Sequence, residues 1–440
     1  PCSGDRSIGG ENFLMNVGQL GRTAAPNPNS IQTRRVSTAE TSSDVGVGDT
    51  VQISAAKPAE QVASTEPLRF SSKRWDFIER LVDNDPHFVQ RNFHPSQVIK
   101  DPELIKAFGS ETPHSGTVLL HYAGDPPPGV KKQEEPVLLV HGAIKDGNFW
   151  WDPAEDGSDK GLAQKLRDEG YQVYALTFAH NQDDNLLQAE QISNCIDRIK
   201  TLTDKPQVDL VAHSKGGAST RIYLTDGVKD PWMTKFKDDV HRVAFVGAPN
   251  GGIDYSFRHS SGNLALGNPS MEALLNAPMS WDSIKYFGSV PVSTEERGFG
   301  AEGPDYWPGQ RQILARMDKY PLGMFEPDWY TTYEGGHGFV SHSKGIDHYI
   351  EEGGNLIERL NANSIDPDVQ VGLLAGDSAT LPKFSNEYTG PSDGLLFVDS
   401  ALKMPSTKNI IAKSVIHQHH KALISSDEGQ NWISDFLAKP

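Results

Sequence analysis

Between residues 117 and 252 the apolar positions alternate between two rhythms. Short apolar runs at 117–122, 136–140, 171–176, 208–211 and 243–247 have the length and β-branched content of strands. From Leu162 to Leu166, and again at Leu187, Ile192, Ile196, Ile199 and Leu202, apolar residues recur at three- to five-residue spacing, which predicts helices. Strand, helix, strand, helix, strand in that order predicts an α/β fold. Its central sheet is mostly parallel with helices on both faces, and a ligand site lies at the carboxyl ends of the strands. The sheet rhythm returns at 369–374 and 409–413, and a terminal helix carries Trp432, Ile433, Phe436 and Leu437 on one face.

The flanks differ. Residues 1–68 are rich in Ser, Thr, Gly, Asn and Ala and have hardly any apolar period, so they read as a mobile low-complexity tail, with the folded domain at 69–440. Trp75, Phe77, Ile78, Leu81 and Val82 fall at helical spacing and predict a helix; Leu104, Ile105 and Phe108 predict another. From 253 to 366 the pattern breaks. So long a break inside one domain predicts a cap or lid insertion with helices of its own. It holds many aromatics, including Trp281, Tyr286, Phe287, Tyr306, Trp307, Phe325, Trp329, Tyr330 and Tyr333, which read partly as a substrate wall and partly as ordinary packing.

Charge narrows the functional classes. With 41 Lys and Arg against 58 Asp and Glu, the net charge of -17 argues against nucleic acid or anionic membranes as partners. No apolar run is long enough for a transmembrane helix. Only Cys2 and Cys195 are present, one in the tail and one on a helix face, so no disulfide is expected. A chain opening Pro1-Cys2 reads as a processed form, and its tail, read as a delivery segment, gives the expectation of a secreted or exported protein, with a cytoplasmic one as the alternative.

The richest chemistry lies in residues 208–217, where an apolar strand runs into Ala212-His213-Ser214-Lys215-Gly216-Gly217. A small-x-Ser-x-Gly turn between strand and helix forces the serine into a sharply turned backbone and exposes its hydroxyl, with Ala212 and Gly216 small enough to avoid collision. Acyl transfer also needs a base, an orienting carboxylate and oxyanion donors. The strand at 136–140 ends in His141-Gly142-Ala143, whose turn offers the Ala143 amide; the second donor is the amide of Lys215. Such preorganised donors contribute about 3 to 4 kcal/mol each. His141 itself reads as a structural loop residue.

For the base, His417, His419 and His420 compete. His420, at the junction of loop and terminal helix, is favoured, with His419 the alternate. For the acid, Asp393 sits between a turn and an apolar run, while Asp377 lies closer to the end of its strand. The histidine cluster lacks the Cys or His-x-x-x-His partners of a zinc set, so no metal and no cofactor are expected. Residues 334–338, Glu-Gly-Gly-His-Gly, lack the Lys-Ser/Thr ending of a phosphate loop.

With Ser214, Asp393 and His420 in that chain order, the sequence resembles the α/β-hydrolases, and among them bacterial triacylglycerol lipases and esterases whose elbow is Ala-His-Ser-x-Gly-Gly. The likeness covers roughly residues 117–252 and 369–437. The Gly-Ala-Pro-Asn-Gly-Gly of 247–252 and the Ser-Asp-Gly-Leu-Leu of 392–396 are similar to family segments, and the second implies Asp393 over Asp377. The resemblance implies a lipase- or esterase-like serine hydrolase of carboxylic esters, acting on an apolar acyl or polymer chain. Lactone opening, polyester depolymerisation and acyl transfer use the same triad, and a binding protein on this fold is the alternative of another class. Lys215 departs from the family, which carries Met, Leu or Gln after the serine, and the insertion exceeds a minimal lipase.

Overall fold

In a computed structural model, the described residues are 67–439 except 95–96, 159, 260–304, 324–332, 338–341, 383 and 385. Nine strands form one sheet: β1 (Leu68–Phe70), β2 (Phe77–Val82), β3 (Thr117–Tyr122), β4 (Val137–Val140), β5 (Val173–Phe178), β6 (Val208–His213), β7 (Val240–Val246), β10 (Gln370–Gly376) and β11 (Ile410–Ile416). A separate two-stranded ladder pairs β8 (Gly336–His337) with β9 (His342–Ser343). The order across the large sheet is β1-β2-β3-β5-β4-β6-β7-β10-β11. The pairs from β1 to β5 are antiparallel, and those from β5 through β4 to β11 are parallel.

The continuous apolar runs are strands because both their faces are covered. Val208, Leu210, Ala212, Val243 and Phe245 point into one layer, with Ile192, Ile196 and Ile199 of α3 (Asn185–Thr203). Val211, Ala244 and Val246 point into the other, with Ile433 and Phe436 of the terminal helix Asp427–Leu437 and Leu162 and Leu166 of α2 (Leu162–Asp168). Cys195 is a free, buried thiol on α3. The predicted second upstream helix is α1 (Pro102–Phe108), capped by Asp101, whose side chain accepts from the amides of Glu103 and Leu104.

The helix expected around Trp75 to Val82 is instead strand β2, and β1 starts at Leu68, the last residue assigned to the tail. Ile78 packs into one layer and Phe77 into the other, a period of two. Buried Glu79 is held by Arg69 of β1 (Nη2 at 2.6 Å) and Arg198 of α3 (Nε at 2.8 Å), which ties the strand in place. Pairing with β3 and this ion cluster override the helical spacing. Residues 1–66 of the tail lie outside the described residues.

Of the insertion between β7 and β10, the described parts include α5 (Tyr255–Arg258), α6 (Pro308–Gln312) and the helices Ile346–Glu352 and Leu356–Ala362. Phe257, Trp307, Leu314, Tyr333, Ile346 and Tyr349 form a small core of their own. Trp307 and Tyr333 are thus packing residues, and Tyr333 also donates to Asp254 Oδ2 at 2.7 Å. Tyr306 is partly buried against this core. Trp281, Tyr286, Phe287, Phe325, Trp329 and Tyr330 lie outside the described residues. Among the described residues no helix is long and apolar enough to cross a membrane.

Candidate active site

Ser214 closes β6 and is the N-cap of α4 (Lys215–Tyr223), with φ 54 and ψ -133. A non-glycine residue there is strained, and the surroundings hold it: its amide donates to Val246 O at 3.0 Å, and its carbonyl accepts from the Gly217 amide at 2.9 Å. The small residues of the turn are a matter of contact. A Cβ on Gly216 would fall 2.3 Å from His141 O, and one on Gly217 would fall 2.4 Å from Ala248 Cβ. The turn therefore packs directly on the loop after β4 and on the loop after β7.

His420 follows β11, with its ring between Ser214 and Asp393. Its Nε2 lies 2.9 Å from Ser214 Oγ, and its Nδ1 lies 2.7 Å from Asp393 Oδ2. The other carboxylate oxygen, Oδ1, accepts the amides of Leu395 at 3.1 Å and Leu396 at 2.8 Å. Asp393 is 1% exposed, so these amides and the imidazole replace the water it has lost. The backbone also joins the two partners, since the His420 amide donates to Asp393 O at 2.9 Å. Gly376 at the end of β10 makes room for this loop: a Cβ there would lie 3.0 Å from Asp393 Cβ.

The alternates go elsewhere. Asp377 accepts from His417 Nδ1 at 2.8 Å on the exposed side of the sheet end. His419 Nδ1 accepts the Ala422 amide at 3.2 Å, and burial, with His420 beside it, lowers its pKa. The three histidines thus serve three different partners and do not converge on a common point.

The 141–143 loop crosses the serine. A Cβ on Gly142 would sit 2.6 Å from Ser214 Cβ and 3.2 Å from its Oγ. His141 braces the loop from inside: its Nε2 accepts the Phe178 amide at 3.2 Å, which leaves the proton on Nδ1 to donate to Gly142 O at 2.7 Å. Burial pushes its pKa down to about 4, so the ring is neutral and structural. Ala143 is buried, and the chain then turns through Ile144 at φ 53. For a β-branched residue that backbone is unfavourable and persists only where the surrounding structure imposes it.

Beside Ser214 and His420 the pocket is walled by Pro249, Ile253, Ile313, Leu395 and Leu396, with Gln310 as a polar side chain. The walls come from the loop after β7, the insertion and the loop that carries Asp393.

Lys215, the residue the sequence left unexplained, is 1% exposed. Its Nζ donates to Asp183 O at 2.9 Å and to Gln188 Oε1 at 2.6 Å. Burial lowers its pKa, with Asp183 and Asp184 opposing the shift. Asp183 is in turn 2.5 Å from Arg91 Nε. Neither partner was foreseen: Asp183 lies in a stretch without periodic signal, and Gln188 is a polar residue of the predicted helix α3.

One other grouping among the described residues brings possible metal ligands together: Glu135, Asp209 and His241, with ligand atoms within 4.8 Å of one another. It lies at the opposite end of β6 from Ser214. The Arg242 guanidinium already occupies the place of a cation, 3.8 Å from Asp209 and within 3.3 Å of both His241 ring nitrogens. These residues do not fit a metal.

Residues 134–261 match the model of the class 2 lipase family, a minority of the chain that includes β4, the serine turn and β7. Among solved structures the chain is similar to the lipase BlEst2 of Bacillus licheniformis. In its propeptide form the identity is 15% over 73% of this chain and 54% of that one, with a TM-score of 0.41. The chain thus spans about half the length of that relative. In the mature form the identity is 16% over 73% of this chain and 96% of that one, with a TM-score of 0.36. Carboxylesterase CesB of Bacillus subtilis is 12% identical over 73% of this chain and 88% of that one, with a TM-score of 0.34. With its mostly parallel sheet flanked by helices the chain has an α/β fold consistent with that of the α/β-hydrolases, and its central segment resembles the class 2 lipases.

Proposed function

We propose that the protein is a serine hydrolase of carboxylic esters in which Ser214 is the nucleophile, His420 the general base and Asp393 the residue that orients it. The observation that carries this reading is the unbroken relay from Ser214 Oγ to His420 Nε2 at 2.9 Å and from His420 Nδ1 to Asp393 Oδ2 at 2.7 Å. His420 takes the hydroxyl proton as Oγ attacks the ester carbonyl. The carboxylate of Asp393 stabilises the imidazolium, and the amides of Ala143 and Lys215 receive the oxyanion. Collapse of the tetrahedral intermediate expels the alcohol, protonated by His420. Water then attacks the acyl-enzyme by the same steps in reverse.

Oxyanion donation by Lys215 is supported by its place as the first residue of α4, where the free amides of the helix face developing negative charge. The Gly142 contact puts the 141–143 loop against the same serine. The apolar walls favour an aliphatic acyl group. We read the insertion as a cap, because its Gln310 and Ile313 reach the pocket.

Hydrolysis of p-nitrophenyl esters of rising acyl length by the wild type, Ser214→Ala and His420→Ala tests the reading. Each substitution is expected to lower kcat by about 10⁶-fold with the fold intact. Folded variants that keep wild-type turnover would remove both residues from the mechanism.

A further inference from the structure

In the ester mechanism Lys215 contributes only its amide; the side chain has no part. Yet it is buried at the N-terminus of a helix, where both desolvation and the helix dipole work against an ammonium. What it binds has to offset that cost. Its two acceptors are Asp183 O, in the loop after β5, and Gln188 Oε1, on α3. Two acceptors match the two N–H donors that even a neutral amine keeps, so the tie survives loss of the proton. Gln188 Oε1 also accepts from Ser219 Oγ of α4 at 3.0 Å, a second bond between the same helices.

The loop that Lys215 grips is also the anchorage of α6. The Gly309 amide donates to Gln182 O at 3.0 Å, and Gln310 Nε2 donates to Gln182 Oε1 at 2.8 Å. Asn185 Nδ2 donates to Gly309 O at 2.8 Å, and Gln312 Nε2 donates to Asp184 Oδ1 at 2.9 Å. All four anchors lie on residues 182–185. The lysine also touches α6 itself: a Cβ on Gly309 would fall 2.6 Å from Lys215 Nζ and 2.0 Å from Asp183 O. Only glycine allows the insertion to lie this close to the lysine. The segment so held delivers Gln310 and Ile313 to the pocket beside Ser214.

We infer that the Lys215 side chain is a positioning residue: it ties the nucleophile helix α4 to residues 182–185 and thereby fixes α6, with Gln310 and Ile313, as the wall against which the acyl group lies. The substrate consequence rests on the ester-hydrolase reading; the mechanical tie does not.

Lys215→Met keeps the length of the side chain and removes its donors, and Gly309→Ala disturbs the same contact from the side of α6. Amide hydrogen exchange over residues 305–314 is expected to quicken about tenfold in both variants, as for a segment that opens locally rather than a protein that unfolds. On p-nitrophenyl esters, KM for long acyl chains is expected to rise about tenfold in Lys215→Met, with a smaller change in kcat and little change in KM for the acetate. Unchanged exchange in both variants would overturn the inference. So would a fall in kcat with KM unmoved, which would place the side chain's role at the oxyanion. The exchange measurement decides the tie even if no ester is turned over, in which case the proposed function fails and the positioning role is judged separately.

Discussion

Asp393→Asn is a change of one atom, and its outcome follows from what each carboxylate oxygen touches. Oδ1 accepts two backbone amides, from Leu395 and Leu396, whereas among the described residues Oδ2 meets the His420 ring alone. Asparagine keeps one oxygen. Two amide donors hold that oxygen at the Oδ1 position, because turning the NH2 toward them would set donors against donors at a buried site. The NH2 therefore faces His420 Nδ1 and donates to it. The ring proton moves to Nε2, and Nε2 can no longer accept the proton of Ser214. Loss of the correct tautomer with geometry intact costs about 10⁴-fold in kcat, or about 5.4 kcal/mol of transition-state stabilisation. Steady-state hydrolysis of p-nitrophenyl acetate, with circular dichroism and Tm to verify the fold, measures it. Asp377→Asn is the control, because among the described residues the Asp377 side chain pairs with exposed His417 alone, and the change is expected to leave kcat within about twofold, as surface changes do. A folded Asp393→Asn protein within tenfold of wild type would refute the tautomer argument, and loss of activity in Asp377→Asn would reassign the acid.

Three further outcomes follow from single contacts. Gly142→Ala drives a methyl to 2.6 Å from Ser214 Cβ and is expected to lower kcat/KM by about 10²-fold, the cost of misplacing reacting groups; activity near wild type would show that the loop yields freely. Glu79→Gln removes the charge that Arg198 and Arg69 share inside the sheet and is expected to lower stability by about 3 kcal/mol in urea unfolding. Burial opposes ionisation of Glu79, but the two arginines outweigh it and hold its pKa below the usual range. Its stabilisation is therefore complete above the unfolded value and fades as pH falls through the lower folded value, so the stability gap between wild type and Glu79→Gln is expected to close in acid; a gap that widens there contradicts the assignment.

How much of this was legible in the sequence depends on whether a feature is local. The strands of the parallel half were readable because burial on both faces leaves continuous apolar runs such as Val137–Val140. Strand β2 was not, because Phe-Ile-Glu-Arg-Leu-Val satisfies a helical spacing, and its true partners, β1, β3 and Arg198, are distant in sequence or weakly patterned. Ser214 was visible from its strand, its small neighbours and its helix. His420 and Asp393 were visible as candidates at strand ends. What separates them from His419 and Asp377 is the course of two loops: the Gly376 contact, the amides of Leu395 and Leu396, and the bond from the His420 amide to Asp393 O. The strangeness of Lys215 could be read directly, but not its reason, since Asp183, Gln188 and Gly309 come from three segments that share no period with it.

The claim at the centre is that Ser214 is a nucleophile activated by His420. Labelling with a small fluorophosphonate followed by peptide mass spectrometry tests it most directly. The account predicts one adduct, on the peptide containing Ser214, in the wild type, with labelling lost in Ser214→Ala and slowed at least 10³-fold in His420→Ala. An adduct on another residue, or labelling of Ser214 that is unchanged without His420, would contradict it.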